Sequence, residues 1–168
     1  MVKSFEWLEN RVRFIDQSQL PLHESYVETS DYHIIAEAIR TLKLRGAPLI
    51  GIAAAYAAAL AALSYHGNDV HKLHDVVRVA MSELSSTRPT AVNLFYALQR
   101  MRNILSQSSS VQDLQSRLVN EAKTIHSEDQ EMCRKIGEHG AVLIPRSATI
   151  LTHCNTGALA TGGEGTAQ

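Results

Sequence analysis

Three short stretches of this chain hold residue types and spacings suited to chemistry. In the first, Arg45-Gly46-Ala47-Pro48 opens directly into Leu49-Ile50-Gly51-Ile52-Ala53-Ala54-Ala55-Tyr56. Glycine permits close backbone approach, proline suits a first helical turn, and a guanidinium beside unpaired amide N–H groups favours an anion, phosphate above all. The second stretch repeats the theme, with Arg88-Pro89-Thr90 leading into another apolar-periodic segment. Two such arginines could clamp one phosphate by charge-assisted hydrogen bonds. The third holds Cys154, in His153-Cys154-Asn155-Thr156-Gly157. A thiolate there could act as a base or shield developing charge, aided by nearby backbone N–H groups. Each stretch also has a plainer reading: a helix start, a solvent-facing loop arginine, a small buried thiol.

These groups need elements to position them. Phe5–Leu8 and Val12–Ile15 alternate apolar and polar around Glu9-Asn10, which predicts a hairpin, and His23–Thr29 supplies a third strand. Ser30 or Asp31 caps a helix in which Ile34, Ile35, Ala38, Ile39 and Leu42 recur at helical spacing. An alanine-rich helix runs from Pro48 to about Tyr65, followed by helices over Val70–Leu84, Ala91–Leu105 and Val111 to about Gly137. A polar linker at 106–110 separates the last two. Leu94, Leu98, Met101 and Leu105 form one buried face, and Leu114, Leu118, Ala122, Ile125 and Met132 another. After Pro145, the β-branched run Ala148–Thr152 predicts a buried strand ending at the cysteine turn.

Composition bounds the function. The chain has 168 residues, 45% hydrophobic and 20% charged, with a formal net charge of −1, which gives no electrostatic reason to expect nucleic acid or an anionic membrane. Met1–Asn10 lacks the charge and apolar order of a secretory signal. The uncharged run Ala47–Gly67 approaches a membrane span in length, but its alanine content favours a buried helix. Cys133 and Cys154 sit in unlike contexts and do not make a disulfide framework, and Cys133 reads as structural. His71 and His74 lie three apart on a helix with nothing to complete a metal-ligand set. His153 is adjacent to Cys154 on a strand pattern, so the two point to opposite faces. The cluster Gly162–Gly165 lacks a full dinucleotide fingerprint.

The segments Arg45–Tyr56, Arg88-Pro89-Thr90-Ala91-Val92-Asn93-Leu94 and Thr152–Thr161, together with the opening Ile15-Asp16-Gln17-Ser18-Gln19-Leu20-Pro21, resemble S-methyl-5-thioribose-1-phosphate isomerase. The same family includes ribose-1,5-bisphosphate isomerases and the regulatory subunits of translation initiation factor 2B. The resemblance implies an aldose–ketose isomerisation in methionine salvage, without metal or nucleotide cofactor; a homodimer is expected, and the unpaired cysteines fit a reducing cytoplasm. It also implies that Arg45, Gly46, Ala47 and Arg88 bind the sugar phosphate and that Cys154 is the catalytic thiol. Family enzymes are roughly twice this length, and their aspartate general acid, a substrate-binding glutamine and an Asn-Lys pair have no counterpart here. Glu164 stands where the family often has an aromatic or apolar residue.

The expected fold is α+β: a small N-terminal antiparallel β element plus a helical bundle over 1–145, then the first strand of a truncated Rossmann-like domain over 146–168. The expected function is a fragment of the isomerase, inactive alone. The alternative is a non-catalytic interaction module related to the translation factor subunits.

Overall fold

The computed structural model describes residues 3–106 and 110–167. Strands β1 (Phe5–Trp7), β2 (Val12–Ile15) and β3 (Tyr26–Thr29) form one antiparallel sheet in the order β1-β2-β3. Phe5 pairs with Phe14 and Phe14 with Val27. The β1–β2 connection is a two-residue turn closed by Leu8 N–H to Arg11 O (2.8 Å) and Arg11 N–H to Leu8 O (3.2 Å). Glu9 and Asn10 both adopt positive φ, 40° and 70°, as such a hairpin turn requires.

Five helices follow: α1 (Tyr32–Arg40), α2 (Ala47–Leu63), α3 (Val70–Thr87), α4 (Val92–Leu105) and α5 (Val111–Ala141). The Asp31 side chain caps α1 by accepting from His33 N–H, and Asp69 caps α3 by accepting from His71 and Lys72 N–H. Every residue of α2 from Leu49 to Ala62 is buried, and α1, α3, α4 and α5 all pack against it. A helix that is apolar all round must lie inside the bundle, and its alanines let neighbours approach from every side. The inner face of the sheet joins this core through Phe5, Val12 and Phe14, and Trp7 stacks on Tyr56 with ring centroids 5.1 Å apart. No helix among the described residues is long and apolar enough to cross a membrane.

Most boundaries fall within a few residues of those expected, α3 and α5 running longer. Three readings are corrected. Ala148–Thr152 is not a strand but an exposed, irregular segment, with Leu151 97% exposed. A strand needs a neighbour for its N–H and C=O groups, and the described sheet contains only β1, β2 and β3. Met132 is half exposed, the inward position being taken by Cys133 one residue on. Leu42 also faces solvent, because α1 ends at Arg40 and Leu42 turns away at φ 64°, and Ile34, in the first turn of α1, is 44% exposed while Ile35 takes the inward place. The linker expected at 106–110 lies largely outside the described residues.

Candidate functional site

Gly46 is the N-cap of α2, with φ 103° and ψ 128°. That left-handed backbone turns the chain from the exposed Arg45 into the helix at Ala47, with Pro48 in the first turn. The turn is pressed against the far end of the chain: a Cβ on Gly46 would stand 2.5 Å from Ala160 Cα. Leu49 N–H donates to Ala160 O at 3.1 Å. One first-turn donor is therefore already used, and Pro48 has none to give. Among the described residues, the Gly46 and Ala47 N–H groups have no backbone acceptor.

Arg88 terminates α3 and is half buried, and its carbonyl accepts from Ala91 N–H at 3.0 Å to shape the entry to α4. The start of α4 meets α2 at its second turn, where a Cβ on Gly51 would lie 2.7 Å from Asn93 O. The loop carrying Arg88 is thus held at the same end of α2 as Arg45-Gly46-Ala47. Among the described residues the Arg88 side chain enters no ion pair or hydrogen bond.

Cys154 lies on the exposed segment leading into the 3-10 turn Gly157–Leu159, with φ 66°. Its thiol makes no hydrogen bond with any described residue. What is anchored is the chain just beyond it. Gln17 Nε2 donates to Leu159 O at 2.7 Å, and Ser4 Oγ reaches Thr161 O at 3.4 Å. On the α5 side, Gly162 N–H donates to Asp129 Oδ2 at 2.7 Å, while His126 Nε2–H and Gln130 Nε2 donate to Gly162 O at 2.7 and 2.8 Å. With its proton on Nε2, His126 accepts at Nδ1 from Tyr56 Oη, 3.4 Å away. Burial pushes the Tyr56 phenol up to about 12. Burial likewise raises the Asp129 carboxyl, against the opposing pull of the Gly162 N–H and of His126. Burial also raises the Cys133 thiol, which lies against Thr161 and Gly165 of the same anchored segment.

The first two motifs and the root of the third therefore meet around the start of α2, while the Cys154 sulfur remains in solvent. Asp129 was not singled out by the sequence, and Gln17 stood there only within the opening motif Ile15–Pro21, with no role assigned. A signal existed for Asp129, which falls in step with Leu118, Ala122 and Ile125 on an otherwise apolar stripe. His71 and His74 place their rings edge to face, 6.2 Å apart, and no cluster of three or more His, Cys, Asp or Glu among the described residues could hold a metal.

Against known proteins, the pattern of the Initiation factor 2 subunit family matches residues 43–162, which includes all three motifs. The chain belongs to that family. It is 49% identical over 166 residues to the methylthioribose-1-phosphate isomerase of Heliobacterium modesticaldum, covering 98% of this chain and 48% of that protein. The Dehalococcoides mccartyi protein of the same name is 48% identical, with 99% and 50% covered. Among solved structures, 5-methylthioribose 1-phosphate isomerase from Pyrococcus horikoshii superposes with a TM-score of 0.92 at 35% identity, covering 98% of this chain and 47% of that one. Translation initiation factor eIF-2B, subunit delta, from A. fulgidus superposes at 0.88 with 38% identity, covering 97% and 48%. The chain spans about half the length of these relatives.

Proposed function

We propose that this chain supplies the phosphate-gripping and thiol-bearing half of an isomerase site that converts S-methyl-5-thio-α-D-ribose 1-phosphate to S-methyl-5-thio-D-ribulose 1-phosphate. The conversion redistributes hydrogen between C1 and C2 without net oxidation, so it asks for an anion anchor and a group matched to proton transfer. Arg45 and Arg88 hold the phosphate, with the Gly46 and Ala47 amides completing the cradle, and Cys154 serves as base or as stabiliser of developing charge. The observation that carries this reading is the convergence of the Arg45 loop, the Arg88 loop and the root of the Cys154 segment at one end of α2. With its thiol exposed and residues 145–156 uncovered, the chain binds substrate but turns it over slowly or not at all by itself. A homodimer, a cytoplasmic location and the absence of a nucleic-acid partner belong to the same proposal.

Titration of the purified chain with methylthioribose 1-phosphate tests it. Binding should weaken at least about tenfold in Arg45→Ala and again in Arg88→Ala, each removing a charge-assisted bond, while Cys154→Ala should bind as the wild type does. Binding indifferent to both arginines would refute the reading. The likeness to the A. fulgidus translation factor subunit favours a second reading, a non-catalytic interaction module. No sugar-phosphate binding together with a stable complex with another protein would support that one instead.

A further inference from the structure

Gln17, two residues beyond β2, is 2% exposed and does more than anchor Leu159. Its primary amide touches both halves of the candidate site. Nε2 donates to Leu159 O at 2.7 Å and to Arg45 O at 3.4 Å, and Oε1 accepts from Arg45 Nε at 3.2 Å. Its own backbone is fixed by Gln17 N–H to Lys43 O at 3.0 Å. The neighbouring Asp16 is held just as firmly: its carboxylate accepts from Ser18 N–H (3.0 Å), Ser18 Oγ (2.5 Å) and Gln19 Nε2 (3.1 Å), with Lys43 Nζ at 3.8 Å.

We infer that Gln17 is a positioning residue that orients the Arg45 guanidinium toward the phosphate and ties it to the Cys154-bearing segment. The inference rests on the reading that Arg45 grips the anion. Engaging Nε fixes the plane of the guanidinium and leaves its two terminal nitrogens for a ligand, so less side-chain freedom is lost on binding. A neutral acceptor does this without cancelling the positive charge, which a carboxylate in the same place would do. Only a side chain that accepts and donates at once can also hold the Leu159 and Arg45 carbonyls. The bond to Leu159 then makes arginine orientation and the placement of the segment one event.

A double-mutant cycle read by calorimetric titration of methylthioribose 1-phosphate separates positioning from mere structural support. The variants are Gln17→Met, Arg45→Ala, the double variant, and Gln17→Glu, which keeps the side-chain size and the Arg45 contact should Gln17→Met fail to fold. Gln17→Met should weaken binding about tenfold, the scale of one bond to a charged group. In the Arg45→Ala background the same substitution should change binding less than twofold. Gln17→Glu should weaken binding comparably and flatten its dependence on salt. If wild-type binding depends on Arg45 but Gln17→Met costs nothing, or costs the same with and without Arg45, the inference fails while the proposed function stands. If wild-type binding is absent or ignores Arg45, both fail together.

Discussion

At Gly46 a single hydrogen atom in place of a side chain decides how closely the start of α2 can approach Ala160. Gly46→Ala would force a methyl into the Ala160 backbone from a φ of 103°, so it should destabilise the protein by about 1–3 kcal/mol and loosen the Ala160 segment. Urea denaturation, with amide exchange at Leu49, checks both effects. Two buried carboxylates should respond to pH with opposite sign. Burial alone would raise the Asp16 pKa, but the Ser18, Gln19 and Lys43 contacts outweigh it and hold the carboxyl below its usual range. A folded-state value below the unfolded one gives stability that is present above about pH 4 and lost as pH falls through the lowered value. Asp16→Asn should therefore cost about 1–3 kcal/mol at neutral pH, and less in acid. Asp129 behaves in the reverse way, because its raised value means stability is lost as pH climbs through it. Asp129→Asn keeps an acceptor for the Gly162 N–H and should flatten that loss. Urea midpoints for both variants between pH 3 and 7 decide the signs.

Among the elements, α2 is the one on which the others depend. Its second turn lies so close to Asn93 that Gly51→Ala should destabilise, although alanine alone would favour a helix by about 1 kcal/mol. A Cβ 2.7 Å from a backbone oxygen can be relieved only by moving α4, and a net loss of about 1–3 kcal/mol is expected. Thermal melting measures it, and a gain in stability would overturn the account. The helices were legible from sequence because their faces repeat: Leu94, Leu98, Met101 and Leu105 are all buried as the spacing requires. The hairpin was legible too, from two alternating runs around Glu9-Asn10. The segment Ala148–Thr152 misled because a β-branched apolar run describes only what a strand would bury. Pairing comes from elsewhere in the chain, and the described sheet offers none.

Taken whole, the molecule is closed by bonds between residues far apart in sequence, which explains what the sequence hid. Arg45-Gly46-Ala47, Arg88 and Cys154 could be picked out by residue type and local spacing. Gln17 and Asp129 could not be given a role, since their partners Leu159 and Gly162 lie 142 and 33 positions away. The same architecture predicts where the chain is vulnerable. Brief trypsin treatment should cut first after the exposed Arg146, outside any helix, while sites within α3 and α5 resist. Mass spectrometry of the early fragments tests this, and first cleavage inside α5 would contradict it. The Gln17–Leu159 bond also has a consequence in time. Joining positions so distant encloses most of the polypeptide, which is entropically unrewarding until the helices have already assembled. The stretch around Gly157 should therefore dock last during refolding, so that a compact but anion-blind species precedes the native one.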